Sequence, residues 1–241
     1  MSVCTVANLL ERYVAGERDF RGLDLTNVDL SRADLSGARL DGANLQGADL
    51  SRTNLSNARL VQANLSTATL NGIDLTAANL SYANLFGVSL SGAELLGANL
   101  HAANLKGVAL WGGNLGDANL SEARLDGADL KGSTLGRADL RRAILKDADL
   151  SRANLRGANL FETDLSNALL ERADLRGAIL VMVSLTGANL SRADLREAIL
   201  EQDSKSFTDL KTANLLEAVY NCDTRFNASF DPKAAGMRCV A

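Results

Sequence analysis

The sequence predicts a solenoid built from five-residue units. Leucine occupies every fifth position from Leu25 to Leu200, 36 consecutive times. The residue two places before each leucine is alanine in 26 of those 36 units, and the residue directly before is aspartate or asparagine in 23. A helix repeats near 3.6 residues and a strand near 2, so a strict period of five would wander around either one. A period this short and regular instead marks a stack in which each unit buries its apolar group against copies of itself.

Residues 33–50, ADLSGARLDGANLQGADL, repeat the pattern A(D/N)Lxx and resemble the pentapeptide-repeat family. The resemblance implies an all-β, right-handed quadrilateral β-helix: one pentapeptide per side, four per coil of twenty residues. Leucine and the small residue two before it would point inward and the other three positions outward. Thirty-six units make nine coils, or nine to ten with the residues beyond Leu200, and at about 4.8 Å per coil nine coils form a rod about 43 Å long.

The expected organisation runs in order along the chain. Residues 1–19 form a capping helix and lead-in, with a helix over 5–15. Val6, Leu9, Leu10, Tyr13 and Val14 make its apolar stripe, Thr5 caps it and Gly16 stops it. Such a helix would cover the open edge of the first coil. Phe20 enters in the leucine register and opens the β-helix proper, 20–200. This helix followed by Gly-x-Arg-x-Phe resembles the opening of cyanobacterial members of the family. Residues 201–220 form an interrupted final coil, with a bulge or loop at 201–207 where Lys205 stands in the leucine register. Residues 221–241 form a capping tail that closes the last coil with Phe226 and Phe230, and it too resembles cyanobacterial relatives.

Composition narrows the functional classes. Only 4% of residues are aromatic and the single proline, Pro232, lies outside the repeats, as a narrow interior and an uninterrupted backbone ladder require. A net charge of −4 is too mild for a dedicated nucleic-acid binder, so no direct nucleic-acid contact is expected. No stretch of 18 apolar residues would span a membrane, and the amino terminus has no secretory pattern, so the protein reads as cytoplasmic. With one histidine, His101, and three cysteines, no metal site can be assembled and no cofactor is expected. Cys4 lies at the opposite end of the rod from Cys222 and Cys239. The last two are a candidate disulfide if the tail folds back, with two reduced thiols as the alternative.

No nucleophile–base pair, phosphate loop or His/Cys spacing signals catalysis, so no enzyme is expected. Residues twenty apart should stack, and the segments at 151–158, 171–178 and 191–198 align coil on coil. Arg152, Arg172 and Arg192 form one column, and Arg156, Arg176 and Arg196 a second on the same face. At one-coil spacing, neighbouring guanidiniums repel by about 0.9 kcal/mol even at the dielectric of water. These six are candidate partner-binding residues for acidic protein segments, phosphates or nucleic-acid backbone. The alternative is a solvated face neutralised by Glu171, Asp174, Asp194 and Glu197. Arg32 and Arg52 continue the first column at the other end of the rod. Two outward apolar groups remain: Phe161, Val181 and Met182, and Tyr82, Phe86, His101 and Trp111, the latter without a shared column.

The protein is therefore expected to be a non-enzymatic, regulatory interaction scaffold with an unidentified protein partner, monomeric or weakly dimeric. The alternative, suggested by family members that imitate DNA, is a modulator of DNA gyrase. The arginine columns interrupt the acidic surface that such mimicry needs.

Overall fold

A computed structural model describes residues 6–203 and 206–240, and the side chains of Ala7, Ser206 and Phe207 are not described among them. Cys4, the candidate cap Thr5, the side chain of Val6, and Lys205 at the register break lie outside the described residues.

Backbone accounting explains the pentapeptide. In most units the leucine N–H donates to a carbonyl nineteen residues on, as Leu25 does to Asn44 (2.8 Å), and the residue before the leucine donates back to the preceding coil, as Asn44 does to Leu23 (2.9 Å). The second corner residue also donates to the next coil: Asn27 to Gln46, 2.9 Å. The inward alanine closes the corner by donating to the preceding leucine, as Ala38 does to Leu35 (3.0 Å). One N–H, that of the first corner residue, has no backbone partner. The Asp or Asn two residues earlier accepts it on Oδ1: Ser31 to Asp29 at 2.9 Å, Ser36 to Asp34 at 3.1 Å, Ser81 to Asn79 at 3.0 Å. The preference for Asp or Asn before leucine is thus a hydrogen-bond requirement.

The second corner residue has φ near +60° while the first does not, the signature of a type II turn. Glycine meets this demand at Gly37, Gly42 and Gly127, but 22 non-glycine residues adopt it too, among them Arg32, Arg152, Arg172 and Arg192. Lattice-like stacking holds them in a region that L-residues otherwise avoid.

Parallel single-residue bridges join positions twenty apart from Asp19↔Arg39 to Ile179↔Ile199. The molecule is therefore a four-sided β-solenoid, with a corner every five residues. With two of five residues in each corner, the sides are too short for extended strands, and the pairing consists mostly of one-residue bridges. The leucines from Leu25 to Leu200 are all buried, and so are nearly all of the alanines two places before them. Where that position carries a hydroxyl, a backbone carbonyl satisfies it: Thr53 to Leu30 and Thr163 to Leu140 (both 2.7 Å), and Ser133 to Leu130 (2.6 Å).

Helix α1, Val6–Val14, lies over the first coil. Leu9 and Tyr13 are buried in the core, Tyr13 stands 6.4 Å from Phe20 ring to ring, and its hydroxyl donates to the Ser36 carbonyl at 2.8 Å. Val14 departs from the expected stripe, being 86% exposed. The stripe is centred on Leu9 and Tyr13, and Val14 sits about 140° around the helix from Leu9.

The expected loop at 201–207 is an antiparallel hairpin of β1 (Glu201–Asp203) and β2 (Ser206–Phe207). Beyond it the ladder resumes with partners 25 apart, Asn189↔Asn214 and Asp194↔Val219. The hairpin thus takes up one whole pentapeptide, so Leu210 and Leu215 re-enter the core in register. Buried Thr208 closes the junction: its hydroxyl donates to the Leu180 carbonyl and accepts the Val183 N–H at 3.0 Å. At the end of the chain β3 (Val219–Tyr220) pairs in parallel with β4 (Arg238–Cys239). Tyr220, Phe226 and Phe230 pack ring to ring, 5.6 and 5.2 Å apart, against the core.

The candidate bridge between Cys222 and Cys239 is absent: both thiols are free and exposed. The β3–β4 register sets Tyr220, not Cys222, opposite Cys239, which leaves Cys222 two residues further along the chain.

Acid should loosen the first coil. Asp19 is held at about 2, chiefly by its hydrogen bonds to the Arg21 guanidinium, and Asp24 and Asp29 are lowered by hydrogen bonds from Thr26 and Ser31. Each folded value lies below the unfolded one, so this stability is fully present above about pH 4 and lost as pH falls toward 2. The melting temperature by circular dichroism is expected to be flat from pH 7 to about 5 and to drop between about 4 and 2. A profile that keeps rising as pH falls through this window would contradict these contacts.

Candidate interaction surface

The repeat assigns every outward side chain to a side or a corner. Arg152, Arg172 and Arg192 are second residues of one corner, stacked by backbone bonds from Arg152 to Glu171 and from Arg172 to Ser191 (2.9 and 3.0 Å). Arg156, Arg176 and Arg196 are first residues of the next corner. The two columns therefore form the two edges of one side of the rod. They stand at the two corners bounding the side that carries Asn154, Asp174 and Asp194, because each pentapeptide turns the chain by a quarter.

Most of this charge is paired. Arg176 contacts Asp174 at 2.5 Å and Asp194 at 3.7 Å, Arg196 contacts Asp194 at 2.6 Å, and Arg172 lies 3.7 Å from Glu171. The hydrogen bonds from Arg176 lower the Asp174 carboxyl, and Asp174 in turn raises Arg176. Arg192 pairs with Glu217 at 2.7 Å, a partner that a spacing of twenty conceals, since the hairpin shifts the register to 25. Among the described residues, Arg152 and Arg156 have no carboxylate within ion-pair distance. Arg32 and Arg52 share the first corner and likewise have none.

The aromatic group is more connected than its sequence positions suggest. Tyr82 and His101 occupy one corner of adjacent coils, in an edge-to-face contact at 5.3 Å. The same corner carries Phe161, Val181 and Met182, with Ser121, Glu122, Arg141 and Arg142 forming a shallow depression between. Val181 is buried rather than outward, whereas Met182 is 45% exposed. Phe86 and Trp111 lie on the two corners that follow, both exposed.

This corner also brings Ser121 Oγ within 2.9 Å of His101 Nδ1, a contact between residues twenty apart that sequence spacing can propose only once the coil length is known. It does not activate a nucleophile. The Ser121 hydroxyl donates to Asn119 Oδ1 at 2.7 Å, the same contact that Ser66 makes to Asn64 and Ser81 to Asn79. Its proton is committed to a corner device that recurs through the rod. Among the described residues no cluster of His, Cys, Asp and Glu is arranged to hold a metal ion, and no helix is long and apolar enough to cross a membrane.

A profile described as pentapeptide repeats matches residues 19–57, 58–97, 83–122, 98–137, 123–160 and 163–202. Among solved structures the chain is similar to HetL, a pentapeptide repeat protein involved in heterocyst differentiation regulation from the cyanobacterium Nostoc sp. strain PCC 7120. The identity is 38%, over 92% of this chain and 99% of that one, with a TM-score of 0.82. A pentapeptide repeat protein of the Arabidopsis thaliana thylakoid lumen is 32% identical over 43% of this chain and 79% of that one, with a TM-score of 0.37. QnrB1, a plasmid-mediated fluoroquinolone resistance protein, is 17% identical over 92% of this chain and 91% of that one, with a TM-score of 0.40. No curated protein matches the chain.

Proposed function

The chain belongs to the pentapeptide-repeat family, and on that premise we propose that it is a non-enzymatic regulatory scaffold that docks a protein partner on the outer surface of its rod. The finer architecture we infer is a right-handed quadrilateral helix of about nine to ten coils, capped by α1 and by the carboxyl tail. A regulatory role is supported by the similarity to HetL, involved in heterocyst differentiation regulation. The docking surface is the pair of arginine corners at 152–196. The observation that carries this choice is that Arg152 and Arg156 stand without carboxylate partners on a surface where the neighbouring arginines are paired.

A pull-down from the native host's lysate tests this. Wild-type protein is compared with a variant carrying Arg152, Arg156, Arg172, Arg176, Arg192 and Arg196 as glutamine. One specific partner is expected with wild type and lost in the variant. A partner retained by both would move the site to the corner of Tyr82 and His101, and no specific partner would overturn the scaffold. The DNA-mimic alternative is disfavoured because arginines interrupt the acidic surface. In a gyrase supercoiling assay, micromolar protein is expected to give no inhibition.

A further inference from the structure

We propose that the corner running from Arg137 to Arg196 receives an acidic α-helix of a protein partner, laid along the rod axis with its carboxylates on the arginines. This rests on the scaffold reading and specifies its partner. Four consecutive coils each place one arginine on this corner: Arg137, Arg156, Arg176 and Arg196. They are stacked by backbone bonds of 2.9 Å from Arg137 to the Arg156 carbonyl, from Gly157 to Arg176 and from Gly177 to Arg196. Each of the first three corners pairs its arginine with a glycine, so a shallow trough floored by Gly136, Gly157 and Gly177 runs between the guanidiniums. A Cβ at Gly177 would meet nothing within 4 Å, so the trough is open to a bulky element.

Spacing selects the element. Successive arginines rise by about 4.8, 9.6 and 14.4 Å along the rod. Residues i, i+3, i+7 and i+10 of an α-helix rise by about 4.5, 10.5 and 15 Å and share one face. Carboxylates at those positions would each meet one guanidinium, in charge-assisted hydrogen bonds.

One substitution in the repeat marks the anchor. The chain writes Asp174-Leu175-Arg176 and Asp194-Leu195-Arg196, and in each the aspartate holds its own arginine by paired hydrogen bonds of 2.5–2.9 Å. One coil earlier it writes Asn154-Leu155-Arg156. The amide still accepts the Arg156 backbone N–H at 3.1 Å but supplies no charge to the guanidinium. Arg137 is held by Asp117 at 2.6 Å. Arg156 is thus the ladder member left to a carboxylate from outside, between neighbours fixed in place by carboxylates of the rod.

The test is fluorescence anisotropy with two labelled helical peptides of identical composition. One has glutamates at i, i+3, i+7 and i+10, and the other has them dispersed around the helix. Wild type is expected to bind the aligned peptide at least about tenfold more tightly than the dispersed one. Arg156→Gln, and Asn154→Asp, which supplies Arg156 with an internal partner, should each weaken that binding about tenfold with an unchanged circular dichroism spectrum. Equal binding of both peptides, equally tight binding of a short DNA duplex, or unchanged affinity in Asn154→Asp would overturn the proposal. If the aligned peptide fails to bind while the six-arginine variant still loses the lysate partner, the helix proposal falls and the scaffold reading stands. If both fail, both fall.

Discussion

Replacing Leu120 with aspartate is expected to abolish the cooperative melting of the rod's middle at ordinary temperatures. Leu120 is fully buried, and its N–H donates to the Asp139 carbonyl at 2.7 Å in the coil below. The substitution removes about 1.5–3 kcal/mol of apolar burial and places a carboxylate among leucines and alanines, where nothing can pair with it. The combined cost should exceed about 4 kcal/mol, at the extreme of what single substitutions do. Leu120→Ala, which leaves only a cavity, should cost about 2–5 kcal/mol and retain a cooperative transition. Chemical denaturation followed by circular dichroism measures both. A Leu120→Asp protein that melts like wild type would overturn the inward assignment of the leucine column.

The second large effect comes from chain length rather than chemistry. Deleting Ala118 alone leaves three residues between Leu115 and Leu120 instead of four, so one corner or one side must lose a member. The bond from Ala118 to the Leu115 carbonyl (3.2 Å), which closes that corner, goes with it, and Asn119 can no longer hold both its backbone bond to Ala98 and its side-chain bond to Asn99. We expect a loss of at least about 3 kcal/mol, because the slip turns inward residues outward along the affected coil. Deleting residues 116–120 instead removes one complete side. Leu125 then takes the place of Leu120, and every residue below rotates by one corner relative to those above. Since each side buries the same pair of residue types, the melting temperature should fall by only a few degrees. The hairpin at 201–207 is a different case, because it loops five residues out of the coil and so keeps the columns in register without any rotation. If the five-residue deletion unfolds the protein as thoroughly as the one-residue deletion, the four sides are not equivalent.

Particular residues show where sequence reasoning reaches and where it stops. The leucine register, the inward alanines and the stacking of residues twenty apart are all visible in the chain. The role of aspartate and asparagine before leucine is visible as a turn preference, though not as the acceptor of one specific N–H. Spacing alone places Val14 in the helix's apolar stripe, and only the packing of Leu9 and Tyr13 on the first coil shows that it lies outside. Tyr82 and His101 fall nineteen residues apart, out of step with the twenty-residue coil, because one is a second and the other a first corner residue. The coil-to-coil bond from the Tyr82 N–H to the His101 carbonyl at 2.9 Å brings their rings together.

The sequence by itself determined the repeat unit, the inward face and the columns, because in a solenoid each unit meets only its neighbours and a local pattern repeated without error becomes the long-range contact map. The tertiary structure alone decided what happens where that pattern breaks. The hairpin's five extra residues set Glu217 rather than Thr212 beside Arg192, the tail's register keeps Cys222 from Cys239, and the corners set the two arginine columns at opposite edges of one side. It also decided which arginines are neutralised, since ion pairing depends on distances of a few ångströms across coils. Periodicity specifies the coil on which a side chain sits but not where its charged end comes to rest.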